Sequence, residues 1–304
     1  MTRVAAIDCG TNSIRLLVAD VRGDRKDDLV RDMRIVRLGQ GVDRTGRLDP
    51  EALRRTLEAC REYAGTIADL GAERIRLCAT SATRDASNAA DFAAGVREVL
   101  GVEPEVLSGD DEAALTYLGA SRDLPDVDEP VLVADLGGGS TELVVGTGGT
   151  ADQAVSLDVG SVRLTERHLA DDPPTAEQVE ACRADVHAAL DASGIDLTSV
   201  RTVVGVAGTI TTVAAGVLGL DGYDRDRIHH ASLPFADVRT LCDDLVSSSV
   251  ARRRELAWLH PGRADVIGGG ALVLGGLLDA VPSATQQLLV SESDILDGIA
   301  WTCA

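Results

Sequence analysis

The chain has 304 residues, enough for two domains of ordinary size. Its formal net charge of −20 opposes binding to nucleic acid or to an anionic membrane, and an aromatic content of only 2% leaves little surface for stacking bases. The N-terminus carries too short an apolar stretch for a signal peptide, and the longest apolar run, 266–278, is too short to span a bilayer. We therefore expect a cytoplasmic protein without nucleic-acid or membrane partners.

The first half of the chain alternates strand and helix patterns. Residues 3–21 read as a hairpin, and further strands are predicted at 31–38, 74–80 and 104–107. Helices are predicted at 49–70, 89–100 and 108–119, the last of which begins with the capping pattern Ser-Gly-Asp-Asp-Glu. The acidic, proline-containing stretch 122–130 is the predicted domain boundary.

The second half repeats this order. A hairpin at 131–147 is followed by a strand at 153–157, a helix at 175–192, and a strand at 202–206 that enters a helix ending at 218. Helices at 234–248, 264–278 and 293–301 and a strand at 287–290 complete the chain. Each half is thus predicted to be α/β with a mixed sheet, in domains 1–124 and 125–304, with the closing helix (about 292–304) packing back on the first domain.

Two stretches of the chain resemble each other. Residues 4–20 (VAAIDCGTNSIRLLVAD) align without a gap with residues 131–147 (VLVADLGGGSTELVVGT), which pairs Asp8 with Asp135. Each copy reads as a strand, a turn of Gly, Ser, Thr or Asn, and a second strand. Glycines let the backbone approach a ligand closely, and successive amides can cradle an anion. The repeat therefore predicts two phosphate-binding turns, each with an Asp that can hold a divalent cation.

Three other features of the sequence leave alternatives open. Glu142 is either an exposed strand residue or a metal ligand acting through water. Gly208 and Thr209, where a strand enters a helix, form either a nucleotide or phosphate site or a packed turn. The run Arg252-Arg253-Arg254 is expected on a solvated helix face, with substrate steering as the alternative.

The six cysteines form no CxxC motif and no cluster with the five histidines. The sequence therefore predicts reduced thiols and no zinc site. Cys9 follows Asp8 on a strand with no neighbouring base, so we expect it to be buried rather than nucleophilic.

Five segments, in this order, closely resemble the exopolyphosphatase and guanosine pentaphosphatase family of the actin, sugar-kinase and Hsp70 superfamily: IDCGTNSIRLLVAD, TSATRDA, SGDDEA, ADLGGGSTEL and GVAGTITTVA. The resemblance covers nearly the whole chain. It implies two ribonuclease-H-like (actin-like) domains with a cleft between them, hydrolysis of terminal phosphates with Mg²⁺, and compatibility with a homodimer. Longer family members carry a C-terminal helical extension, so this chain resembles the short two-domain form.

The resemblance also assigns site residues. Glu112 matches the catalytic glutamate, while the preceding Asp111 replaces a glutamate and keeps its charge. Asp135 and Glu142 match metal-linked carboxylates, with Asp8 as the partner from the first copy. The phosphate-binding positions are Gly10, Thr11, Asn12, Ser13, Arg84, Gly137, Gly138, Gly139, Ser140 and Thr141.

These assignments predict an exopolyphosphatase that removes terminal orthophosphate from inorganic polyphosphate, with short chains favoured, by attack of water activated by Glu112. The motifs do not separate this activity from hydrolysis of guanosine pentaphosphate. A sugar-kinase-like phosphotransferase is a rival of another class, which SGDDEA between the hairpins disfavours. A non-catalytic polyphosphate or nucleotide sensor is disfavoured because all the carboxylates of the site are retained.

Overall fold

The computed structural model describes residues 1–282 and 284–304. The chain divides into two compact units, which we call unit 1 (Met1–Gly119 with Ile295–Ala304) and unit 2 (Ala120–Asp294). The predicted boundary at 124/125 therefore lies a few residues inside unit 2. No helix within the described residues is both long enough and apolar enough to cross a membrane.

Unit 1 contains a five-stranded mixed sheet with the strand order β3-β2-β1-β4-β5. Its strands are β1 (Thr2–Cys9), β2 (Ser13–Arg22), β3 (Arg25–Ile35), β4 (Arg74–Ala79) and β5 (Glu105–Val106). The helices in this part of the chain are α1 (Val42–Thr45), α2 (Pro50–Leu70), α3 (Ser81–Arg84), α4 (Ala89–Leu100) and α5 (Gly109–Ser121). β2 is antiparallel to its neighbours, whereas β1, β4 and β5 are parallel.

The central strands of unit 1 are buried on both faces, which explains their nearly continuous apolar sequence. Ile7 and Leu16 belong to the core on the face that α2 and α4 cover. Ala6 and Leu17, one position along each strand, belong to a second core on the opposite face. The period-two alternation of a strand thus divides one apolar run between two cores.

Unit 2 contains a six-stranded sheet with the order β10-β11-β9-β6-β7-β8. Its strands are β6 (Val131–Leu136), β7 (Thr141–Thr147), β8 (Thr150–Leu157), β9 (Thr202–Val206), β10 (Ser232–Pro234) and β11 (Gln287–Val290). Its helices are α6 (Ser161–His168), α7 (Ala176–Ala192), α8 (Ala207–Val217), α9 (Arg225–Ile228), α10 (Phe235–Ser247), α11 (Val250–Arg253) and α12 (Ile267–Ala280), and a 3₁₀ turn spans Pro261–Arg263.

The two sheets share one topology. Read from β8, the order β8-β7-β6-β9-β11 reproduces β3-β2-β1-β4-β5, with the same antiparallel and parallel neighbours. The predicted fold of two ribonuclease-H-like α/β copies is confirmed. In both copies the parallel strands end at one edge of the sheet, and the predicted phosphate turn follows the first of them.

The last helix, α13 (Ile295–Cys303), returns to unit 1 and packs on β1 and β2. Gly298 allows this close approach, because a Cβ there would lie 2.0 Å from the carbonyl oxygen of Leu115. Asp297, 1% exposed, forms ion pairs with Arg31 at 2.6 Å and Lys26 at 3.0 Å. These ion pairs attach α13 to β3. Strand β3 begins at Arg25, several residues earlier than the predicted strand at 31–38.

Several details differ from the predicted organisation. The sequence did not predict the helices α1, α3, α6 and α9 or the strand β10. Arg253, expected on a solvated face, is only 3% exposed and donates to the carbonyls of Leu245 (2.8 Å) and Ala264 (3.1 Å). For Arg253 that interpretation was wrong, because the last carbonyls of α10 need donors, which the buried guanidinium supplies; Arg252 and Arg254 are exposed as expected. All six cysteines are buried free thiols.

Candidate active site

The first predicted phosphate turn joins β1 to β2. The Gly10 amide donates to the Ser13 carbonyl at 2.9 Å, and the Thr11 carbonyl accepts from the Gly39 amide at 2.8 Å. The Asn12 carbonyl accepts from the two amides that follow β3. The amides of Thr11 and Asn12 have no hydrogen-bond partner among the residues described. The turn thus directs its carbonyls into the protein and leaves donors for an anion.

The second turn, between β6 and β7, is built in the same way. The Gly137 amide donates to the Ser140 carbonyl at 3.1 Å, and the Gly138 carbonyl accepts from the first turn of α6 at 2.8 Å. Gly160 must be glycine, because a Cβ there would lie 2.6 Å from Gly138. The two central amides of this turn, at 138 and 139, likewise have no partner in the described part of the chain.

The copies differ in the charge that faces the repeated aspartate. Asp8 lies opposite Arg15 in the β1–β2 register, and its Oδ2 is 2.7 Å from Arg15 Nη2 and 2.9 Å from Nε. Asp135 lies opposite Glu142 in the β6–β7 register. Glu142 is 1% exposed and accepts a hydrogen bond from Ser156 at 2.7 Å, so its interpretation as an exposed strand residue is wrong.

This difference bears on which copy suits a divalent cation. Directly opposite residues of an antiparallel pair have neighbouring side chains, and like charges so placed are destabilising. Asp135 and Glu142 offer the hard oxygen donors that Mg²⁺ prefers. Asp8 already forms a two-pronged ion pair with Arg15, so a cation at Asp8 would compete with a guanidinium.

Glu112 lies in the first turn of α5. The helix begins as predicted, with the Ser108 hydroxyl accepting from the Asp111 amide at 3.1 Å. Glu112 is 7% exposed, and its Oε2 is 3.0 Å from Arg84 Nη1. The same guanidinium nitrogen donates to the Leu107 carbonyl at 2.9 Å. Arg84, predicted to bind phosphate, is thus fixed against the predicted base.

The surroundings of Glu112 shift its ionisation toward neutrality. Burial raises the pKa of Glu112 to about 7, with Asp8 adding to the rise, while Arg84 and the Thr80 hydroxyl oppose it. Thr80 also contacts the end of β1, directly before the first turn, its amide donating to the Cys9 carbonyl at 3.2 Å. The carboxyl therefore lies beside the phosphate turn of unit 1 and is able to gain or lose a proton near pH 7.

The start of α8 carries an unpredicted arginine. Ala207 adopts a left-handed conformation (φ 68°) at the end of β9. A Cβ on Gly208 would lie 1.8 Å from Nη1 of Arg263, so the guanidinium lies directly on this glycine. Thr209 is 3% exposed and packs against Gly270. Sequence reasoning missed Arg263 because nothing local relates it to this turn.

Unit 1 brings together Asp8, the turn 10–13, Arg84 and Glu112, whereas unit 2 brings together Asp135, the turn 137–141 and Glu142. Arg15 and Arg163 were also missed; Arg163 Nε donates to the Gly139 carbonyl at 2.6 Å. A signal for Arg15 did exist, since the repeat alignment pairs it with Glu142.

Comparisons with known proteins agree with this architecture. The chain is 47% identical to exopolyphosphatase 2 of Mycobacterium tuberculosis, over 100% of this chain and 99% of the relative. It is 32% identical to the structure of the Aquifex aeolicus PPX-GPPA enzyme, with a TM-score of 0.82 and 99% of both chains covered. A Cytophaga hutchinsonii exopolyphosphatase structure is 26% identical, with a TM-score of 0.89, covering 99% of this chain and 97% of that chain. Residues 17–300 match the Ppx/GppA phosphatase family, and the chain belongs to that family.

Proposed function

We propose that the protein is an exopolyphosphatase that releases orthophosphate from the end of inorganic polyphosphate. The observation that carries the proposal is the buried Glu112 carboxyl, with a pKa of about 7, beside a turn whose two central amides have no hydrogen-bond partner among the described residues. The full-length relative named exopolyphosphatase 2 supports polyphosphate as the substrate.

In the proposed reaction, the turn amides bind oxygens of the terminal phosphate and hold its phosphorus for in-line attack. Ionised Glu112 accepts a proton from water as the water oxygen bonds to phosphorus. The bond to the bridging oxygen breaks, and the shortened polyphosphate leaves with that oxygen and its electron pair. Arg84 fixes the carboxylate through the 3.0 Å contact and places positive charge near the phosphate.

We further propose that Asp135 and Glu142 hold Mg²⁺, with a smaller contribution from Asp8 because Arg15 engages one of its oxygens. When bound, such a cation offsets charge on the phosphate oxygens. The buried position of both unit 2 carboxylates and their opposed register support this assignment. A cytoplasmic location and a homodimer belong to the same proposal.

Phosphate release from a substrate panel tests the proposal. The panel contains polyphosphates of several lengths, guanosine pentaphosphate and ATP, each with and without Mg²⁺, and Glu112→Gln is the control for contaminating phosphatase. We expect Mg²⁺-dependent release from polyphosphate, fastest with short chains. A clear preference for guanosine pentaphosphate would favour that substrate instead. Binding without turnover would indicate a sensor, and phosphate transfer to a sugar would indicate a kinase-like enzyme.

A further inference from the structure

Asp123, His229 and His230 lie together in unit 2, near the end of β11. One ring nitrogen of each histidine and a carboxylate oxygen of Asp123 all lie within 4.8 Å of one another. His229 Nε2 is 2.9 Å from Asp123 Oδ2, and the two imidazole rings stack with their centroids 3.7 Å apart. We propose that these three side chains form a binding site for a divalent transition-metal ion such as Zn²⁺ or Co²⁺, separate from the active site and independent of the proposed function.

The backbone brings the two histidines to the same side. Consecutive side chains in extended chain point in opposite directions. His230 instead has a left-handed conformation (φ 61°), which is uncommon for a residue other than glycine. Its amide donates to the Val290 carbonyl at 2.7 Å, which attaches this turn to the end of β11. The adjacent histidines are therefore held as a stacked pair beside the end of β11.

His230 supplies the observation that points to a ligand. Its Nε2 is buried and has no hydrogen-bond partner within the described residues. Burying an imidazole nitrogen without a partner is costly, and a bound cation would satisfy it. Two imidazoles and one carboxylate suit Zn²⁺, Co²⁺ or Ni²⁺ better than Mg²⁺.

Neighbouring groups support and limit the site. The Ser293 hydroxyl donates to Asp123 Oδ2 at 2.9 Å and so orients the carboxylate, as outer partners of metal ligands do. The Glu292 amide donates to His229 Nδ1 at 3.1 Å. A metal on His229 Nε2 moves the ring proton to Nδ1, so the Glu292 amide must then give up this acceptor. Binding therefore carries a local cost.

The site is distinct from the proposed Mg²⁺ site. β11, β9 and β6 run parallel in that order, so the histidines and Asp135 lie toward the same edge of the sheet with β9 between them. Two strand spacings correspond to ~10 Å. Asp123 lies just after the chain enters unit 2, and Ser293 lies just before the chain leaves it. The two segments are already joined by the hydrogen bond between these residues, and a metal here would reinforce that link.

The test is a titration with Co²⁺, followed by visible absorption, and with Zn²⁺, followed by calorimetry, both with Mg²⁺ in excess to occupy oxygen-only sites. We expect one ion per chain in the wild type. His230→Gly, which tolerates the left-handed backbone, and Asp123→Asn should each weaken binding about tenfold or more. His168→Ala is the matched control, because His168 also contacts a carboxylate, Asp185 at 2.8 Å, but among the described residues it belongs to no three-ligand cluster.

Unchanged affinity in both site variants would overturn the proposal, as would absence of binding in the wild type. A thiolate-to-cobalt absorption band would place the ion on a cysteine and also overturn it. Circular dichroism of each variant identifies loss of fold. If His230→Gly unfolds, His229→Gln and Asp123→Asn carry the test.

Discussion

Replacement of Glu112 by Gln removes the proposed base while keeping the shape of the side chain. An amide cannot accept the proton of the attacking water, so kcat should fall about 10²–10⁴-fold. Binding of polyphosphate should persist, because the turn amides of unit 1 and Arg84 are unchanged.

The pH dependence of wild-type kcat/KM gives a second quantitative prediction about Glu112. The pKa of Glu112 is about 7 instead of the ordinary 4.5, chiefly because the side chain is buried. At pH 5.5 a carboxyl with that pKa is only about 3% ionised, whereas an ordinary glutamate is about 90% ionised. Only the ionised form accepts a proton, so kcat/KM should fall about thirtyfold between pH 8.5 and pH 5.5.

The assay measures orthophosphate released from a short polyphosphate at fixed free Mg²⁺. Phosphate groups of the substrate also ionise near neutral pH, so the profile of Glu112→Gln is the necessary control. A fall in kcat/KM at acid pH that the wild type shows and the variant lacks is caused by protonation of Glu112. Near-normal kcat in the variant would remove Glu112 from the mechanism, and a wild-type limb centred near pH 4.5 would refute the argument from burial.

Three further predictions concern the metal, the substrate and the fold. Asp135→Asn should raise the Mg²⁺ concentration needed for half-maximal activity more than Asp8→Asn does; if neither titration moves, the metal is held elsewhere. With a net charge of −20, kcat/KM of the wild type should hold steady or rise modestly from low to moderate KCl, and Arg84→Ala should lower it throughout; a steep fall in the wild type would indicate capture by a basic surface. Asp297→Asn should cost about 3–5 kcal/mol in thermal or urea unfolding, and a near-normal melting curve would contradict the buried ion pairs. Burial raises the pKa of Asp297, but the charges of Arg31 and Lys26 outweigh burial and hold that pKa below its ordinary value. The stability that the ionised carboxylate contributes is therefore present above about pH 4 and is lost as the pH falls through the folded-state pKa.

The sequence by itself determined the duplicated architecture. The repeated strand-turn-strand pattern placed both glycine turns. Helices α2, α5 and α7 lie within a few residues of their predicted ranges, α5 with its predicted capping pattern. These features follow from local backbone preferences and from apolar periodicity, both of which act over neighbouring residues.

Only the tertiary structure decided the charges and contacts around the site. The pKa of Glu112 depends on burial and on Asp8 and Arg84, which come from separate elements of unit 1. Asp123 lies 106 residues from His229, and no spacing rule relates them. In the sequence Arg253 is one of three adjacent arginines, and only packing distinguishes it by burying it against backbone carbonyls. Desolvation and close electrostatic contact depend on which distant segments meet, and local sequence patterns do not encode those meetings.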